Sequence, residues 1–267
     1  MRTEALATEA LPTEALVRAL SDLGVRPGEV LHVQASLRTL GPVPGGAAAV
    51  VEALREVLGP EGTLVAYTAT PENSASSRLY QSVTAGLSPA EIDEYQARMP
   101  RFDPARTPAS PTVGALSEAI RTCPGALRSR HPQTSWAAVG RRARAVTAHH
   151  PLTSHLGPES PLGRLYDLDA RVLMLGVPMD RFTAFHLADL RMPDVAEREY
   201  RCVGEDGWAA FRAPHLDDLH FGPLGAEVLR TARGISTGRV GAAAECRLVP
   251  VREAVDLAEG ILRRGRA

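Results

Sequence analysis

Thr183, His186 and Asp189 follow one another at intervals of three in the segment RFTAFHLADLR, Arg181 to Arg191. On a helix that spacing puts the three side chains on one face, where they act on a common space. Histidine is the side chain suited to taking a proton near neutral pH. A carboxylate one turn later can orient its ring, and a threonine hydroxyl one turn earlier can donate to an oxygen on which negative charge develops. A plainer account fits the same letters: a hydrogen-bonded core histidine, a charge on a helix surface, and Thr183 as the N-cap of that helix. Spacing alone leaves both open.

Three other segments concentrate residues able to do chemistry. HVQASLRTLGPVPGG runs from an apolar stretch into Ser36, Leu37 and Arg38 and then to Gly45 and Gly46. There, backbone amides at a helix start could hold an anion, or the glycines could simply make a tight turn. RSRHPQTSWAAVG sets Arg128, Arg130 and His131 just before another apolar run, and HHPLTSHLGPESPLGRLYDL places His149, His150 and His155 ahead of Ser160 and Pro161, a helix-opening pair. The histidines lack the H-E-x-x-H arrangement of a zinc hydrolase, which disfavours that reading for His149, His150, His155 and His186 with Asp189. No metal is expected.

These residues need a scaffold, and the hydrophobic pattern supplies one. TEALVRALSDLGV reads as an amphipathic helix with Thr13 as N-cap and Gly24 at its end, followed by the strand EVLHVQA. GGAAAVVEALREVLG, VGALSEAIRTC, RRARAVTAHH, SPLGRLYDLD and TAFHLADLR read as helices; GTLVAYT, SWAAVG and the continuously apolar ARVLMLGV read as strands. Alternation of this kind predicts an α/β fold, three-layer α/β/α with a mixed, largely parallel central sheet. REYRCVG and WAAFRAP flank Glu205-Asp206-Gly207 like a hairpin, which predicts an antiparallel edge on that sheet. Ligands of such sheets bind beyond the carboxyl ends of the strands. One domain is expected over residues 1–267, with a Ser-, Pro- and acid-rich insertion at about 70–111 that reads as a lid or binding loop.

Composition narrows the function classes. The formal net charge is −1, and all 30 positive residues are arginines, the mark of a GC-rich coding sequence rather than of a polyanion partner. No nucleic-acid motif is present. The 3 cysteines, Cys123, Cys202 and Cys246, are far apart and read as thiols of a reducing cytoplasm. The opening run MRTEALATEALPTEALVRALSDLG is charged and helical rather than apolar, and no segment reaches the roughly 18 apolar residues of a membrane span. A cytoplasmic protein is expected, and nothing separates a monomer from a homodimer.

Taken together, HVQASLRTLGPVPGGAAAVVEALREVLGPEGTLVAYT, MPRFDPARTP, RSRHPQTSWAAVG, GPESPLGRLYDLDARVLMLGV and TAFHLAD resemble, in this order, the antibiotic N-acetyltransferase family, specifically the aminoglycoside 3-N-acetyltransferases. The resemblance covers about residues 13 to 220. It implies an acetyl-coenzyme A donor, an aminoglycoside acceptor acetylated on the 3-amino group of its 2-deoxystreptamine ring, and antibiotic resistance as the outcome. The implied fold is distinct from that of the GCN5-related acetyltransferases, whose [QR]-x-x-G-x-[GA] pattern is missed here at its last position, Val43.

The resemblance assigns roles residue by residue. His186 matches the catalytic histidine of the family's LHLAE motif; here the motif reads FHLAD, so Asp189 stands where the family usually has Glu. Thr183 would assist at the thioester oxygen. Ser36, Leu37 and Arg38 match an HSSLR-like motif whose His-Ser is replaced here by Gln34-Ala35, and Gly45, Gly46, Arg128, His131 and Ser160 are further candidates for coenzyme A contacts. Carboxylates for a polycationic acceptor are sought at Glu72, Asp217 and Asp218. A rival stays inside the family, acetylating another amine in a biosynthetic pathway; a non-catalytic binding protein is the other alternative, for which His186 is unexpected.

Overall fold

A computed structural model describes residues 10–241 and 244–265; the opening run, expected to be helical, lies outside the described residues as far as position 9. In chain order the elements are α1 (Thr13–Leu23), β1 (Val30–Ala35), α2 (Leu37–Leu40), α3 (Gly46–Leu58), β2 (Thr63–Tyr67), α4 (Arg78–Thr84), α5 (Pro89–Arg98) and α6 (Ala115–Arg121). There follow β3 (Leu127–Arg128), β4 (Trp136–Gly140), α7 (Ala143–Thr147), α8 (Pro161–Asp167), β5 (Arg171–Leu175), α9 (Phe185–Asp189), β6 (Glu197–Gly204), β7 (Gly207–Pro214), α10 (Phe221–Thr231), β8 (Ser236–Val240), β9 (Ala244–Pro250) and α11 (Val251–Gly265). Helix α1 differs from expectation at its start: Pro12, not Thr13, is the N-cap, its backbone already extended at φ −65° and ψ 154°.

Seven strands form the central sheet in the order β3-β4-β2-β1-β5-β9-β8. Its parallel part is the centre, where β1 pairs with β2 on one side and β5 on the other; both flanks are antiparallel. Side chains alternate between two faces, as strand geometry requires. Val30, Val65, Val172, Met174 and Val249 enter one core with α7, α8, α9, α10 and α11. Leu31, Leu64, Leu173, Leu175 and Leu248 enter the other with α1, α3 and α6. Helices on both faces make the expected α/β/α layers, and they explain why β5 is apolar without a break.

The hairpin was expected at the edge of this sheet and is elsewhere. Strands β6 and β7 pair only with each other, in a separate two-stranded sheet turned by Glu205 and Asp206. The antiparallel edges are β3, paired with β4, and β8, reached through β9, which takes the place beside β5. The hairpin instead backs the insertion: Ser74 bridges to Cys202, and the Ala75 amide donates to Arg201 O at 2.9 Å. Tyr200 and Phe211 stack at 5.8 Å, and Tyr200 packs at 4.3 Å from the ring of His155, so the apolar side of the hairpin is buried locally rather than at a sheet edge.

Nor is the insertion irregular. It carries single 3-10 turns at Pro71–Asn73 and Pro111–Val113, together with α4 and α5. Helix α5 opens on a capping box in which Ser88 and Glu91 satisfy each other's amides.

Candidate active site

A cleft of about 850 Å³ opens at the carboxyl ends of β1, β2 and β5, where an α/β sheet is expected to bind its ligand. Ser36, Leu37 and Arg38 line it from the end of β1; Thr183 and His186 come from the segment after β5, and Asp218 and Phe221 from the loop leading into α10. Six of the residues singled out in the sequence are thus gathered in one space: Ser36, Leu37, Arg38, Thr183, His186 and Asp218.

His186 is partly buried, with its Nδ1 fully enclosed and without a hydrogen-bond partner among the described residues. Burial pushes the imidazole down to about 4; the carboxylates of Asp218 and Asp217 oppose that shift, and the neighbouring His220 adds to it. The ring is therefore neutral at pH 7, with a lone pair to accept a proton and two nearby carboxylates to stabilise the imidazolium that results. It leans on Phe221, ring centroids 4.7 Å apart.

Asp189 holds a ring that the sequence did not point to, that of His220. Its Oδ1 accepts a hydrogen bond from Nε2 of His220 at 2.9 Å. Thr183 is not the cap of α9; Ala184 stands there, and Thr183 lies ahead of it, its carbonyl accepting from the His186 amide at 3.2 Å. Gln34 positions this segment from β1, donating through Nε2 to Arg181 O at 2.5 Å and accepting the Thr183 amide at 3.2 Å. Its side chain so reads two peptide groups, as a neighbouring strand would.

The remaining candidates sit outside the cleft. Gly45 and Gly46 make the turn into α3, at φ +81° and +60°, left-handed values that favour glycine. Arg128 donates to Thr68 O at 2.7 Å, to Ser135 Oγ at 3.0 Å and to the Thr107 carbonyl, and its guanidinium lies 5.0 Å over Phe102. It ties the insertion to β2 and β4, and burial lowers its pKa to about 10. His131 accepts the Gln133 and Thr134 amides on Nδ1 at 3.1 and 3.2 Å, which leaves Nε2 to donate to Leu152 O. Ser160 caps α8, its Oγ accepting from the Leu162 amide at 3.1 Å. Glu72 accepts from Ser110 Oγ at 2.5 Å, and Asp217 accepts the Leu219 amide at 2.9 Å.

Sequence reasoning missed His32, Tyr67, Asp180 and Arg181, which also line the cleft. His32 donates from Nδ1 to Val65 O at 3.1 Å and packs against Trp136 with the rings tilted, centroids 4.7 Å apart. It is read as core from sequence because it sits inside an apolar strand. Gln34 and His220 were equally silent, since their partners are distant in the chain. Among the described residues no group of three His, Cys, Asp or Glu could hold a metal ion, and no helix is long and apolar enough to cross a membrane.

Comparison with known proteins places the chain in a family. The aminoglycoside 3-N-acetyltransferase family model matches residues 32–263. Aminoglycoside N(3)-acetyltransferase III of Serratia marcescens is 39% identical over 199 residues, 73% of this chain and 71% of that one. The aminoglycoside N(3')-acetyltransferase-like protein YokD of Bacillus subtilis is 33% identical over 92% of this chain and 90% of its own. Its crystal structure superposes with a TM-score of 0.88 at 31% identity, covering 96% of this chain and 94% of that one. A binary complex of AAC-IIIb with CoASH has a TM-score of 0.80 at 29% identity, covering 96% and 97% of the two chains. AAC-VIa bound to sisomicin has a TM-score of 0.83 at 29% identity, covering 96% and 98%. The chain belongs to the aminoglycoside 3-N-acetyltransferase family and is an acyltransferase of that kind.

Proposed function

We propose that this chain moves the acetyl group of acetyl-coenzyme A directly onto the 3-amino group of the 2-deoxystreptamine ring of aminoglycosides, with His186 as general base. The observation that carries the reading is a neutral, partly buried histidine with its Nδ1 enclosed, in a cleft that also presents Arg38, Arg181 and Asp218. The guanidinium groups suit the phosphates of the donor, and the carboxylate suits the ammonium groups of the acceptor. Solved relatives bound to CoASH and to sisomicin support both halves.

An alkyl amine with a pKa of about 10.4 is neutral in only about one molecule in 10³ at pH 7, a penalty of roughly 4 kcal/mol. The ammonium first yields one proton to solvent, and His186 takes the second, which the nitrogen sheds as the nitrogen–carbon bond forms and the carbon–sulfur bond breaks. Acetyl-coenzyme A supplies the thioester carbonyl and a sulfur leaving group, which receives the proton in turn. Thr183, which lines the cleft three residues ahead of the histidine, donates to the carbonyl oxygen as it gains charge. The whole of residues 1–267 acts as one domain, with the segment 70–111 closing over the acceptor as a lid. The setting is the cytoplasm, in a monomer or homodimer, and the outcome is resistance.

One observation favours a second reading, acetylation of a less charged amine in a biosynthetic pathway. The cleft sets Asp180 and Asp218 against Arg38 and Arg181, a balance of charge rather than an acidic funnel. Thiol release from acetyl-coenzyme A with a panel of amines decides between them: dependence on a free 3-amino group establishes the first reading, and silence on every aminoglycoside with coenzyme A still bound moves the acceptor to another amine. His186→Ala is expected to abolish turnover and leave coenzyme A binding nearly intact. Retention of more than about a tenth of the rate would rule out the general base, whose contribution is typically 10²-fold or more.

A further inference from the structure

The loop between β7 and α10 forms the acidic wall of the cleft, and its two ends are held differently. At its near end the His215 amide donates to Ala196 O at 2.8 Å and the Tyr200 hydroxyl to Pro214 O at 3.0 Å, both within the hairpin. At its far end His220 reaches Asp189, the last residue of the helix that carries His186, at 2.9 Å. The ring of His220 stands edge-on to Phe221 at 5.0 Å, and Phe221 in turn touches His186 at 4.7 Å. Between these ends the Leu216 backbone also bonds Tyr200 of the hairpin, and further along the Leu219 amide donates to Asp217 and the Phe221 amide to Asp218 O at 3.1 Å. Leu219 at the tip is 78% exposed.

We infer that His220 is a positioning residue: through Asp189 it latches the wall that carries Asp217 and Asp218 onto the helix of the catalytic histidine, although neither His220 nor Asp189 lines the cleft. The inference rests on the proposed function for its kinetic consequence and on geometry alone for the latch. Asp218, the carboxylate of this loop that lines the cleft, and His186 stand on different elements, so their spacing depends on whatever ties those elements together. The Asp189–His220 pair is a polar side-chain link between them, and the ring contacts of Phe221 with Phe185 and His186 hold the same spacing from behind.

The test compares His220→Ala with His220→Gln, which keeps a donor for Asp189. In His220→Ala, amide hydrogen exchange is expected to quicken at Leu219 and Phe221 and not in the core strands. The acceptor KM should rise about fivefold, the scale of a partly exposed ion pair, with the acetyl-coenzyme A KM unchanged. His220→Gln should restore both. Unchanged exchange overturns the latch. So does quickened exchange with an acceptor KM that moves less than twofold, or a KM that rises equally for both substrates, either of which reports packing alone. Should His220→Ala fail to fold, Asp189→Asn and His220→Gln carry the same two readouts. If the wild-type protein turns over no aminoglycoside, the proposed function fails while the exchange data still decide the latch.

Discussion

In the proposed mechanism His186 serves as the base because burial keeps its ring free of a proton. With its ring held down to about 4, nothing at this residue titrates across the working range, whereas the acceptor amine does. The rate constant kcat/KM for the acceptor is therefore expected to climb with pH between about 6 and 8 as the neutral amine accumulates, without a bend near the ordinary histidine value of about 6.5. A pH profile of initial rates checks this, and a bend at 6.5 that vanishes in a His186 variant would mean the ring is solvated in the working enzyme. At this scale the sequence was legible where a residue's role follows from its place in an ordered motif: Ser36, Leu37, Arg38, Thr183 and His186 converge on the cleft as their order suggested. It was illegible where the partner is remote. Asp189 sits three positions from His186, yet the ring it holds lies 31 residues away, and no local pattern announces that.

Among the elements, strand and helix positions were readable because burial on one stripe or on alternate sides leaves a period in the letters. The hairpin's destination was not, since the place beside β5 is taken by β9, which begins at Ala244, 30 residues after the hairpin ends at Pro214. Tight approach between elements leaves a clearer trace, in glycines. Gly163 in α8 sits where an added Cβ would come within 2.0 Å of Pro158 O, a backbone atom that cannot swing aside. Gly163→Ala should destabilise the fold by about 1–3 kcal/mol through overpacking, read as a lowered thermal midpoint, with activity at low temperature largely kept. An unchanged midpoint would show that the 157–160 turn is free to move away from the helix.

For the whole molecule, an acid limit follows from five histidines kept neutral inside it. Burial lowers His32 and His150 to about 4 and His155 to about 3, holds His131 well below its ordinary value, and lowers His186 to about 4. The unfolded chain protonates them near 6.5, so below that value it binds more protons than the fold does. Their stabilisation is fully present above about 6.5 and drains away as pH falls toward 4, each group contributing about 1.4 kcal/mol per pH unit in that window. Urea titrations at pH 7.5 and 5.5 should show a far lower midpoint at the acid value; equal midpoints would mean these rings take up protons within the fold. The order of the strands carries another consequence, one of time. The central ladder joins residues 31–35 to residues 171–175, and β5 then waits for β9 at 246–250. A chain leaving the ribosome therefore holds its first strands without their inner neighbour until most of it has been made. Folding of this enzyme is a late and non-local event, exposed to aggregation for as long as synthesis lasts.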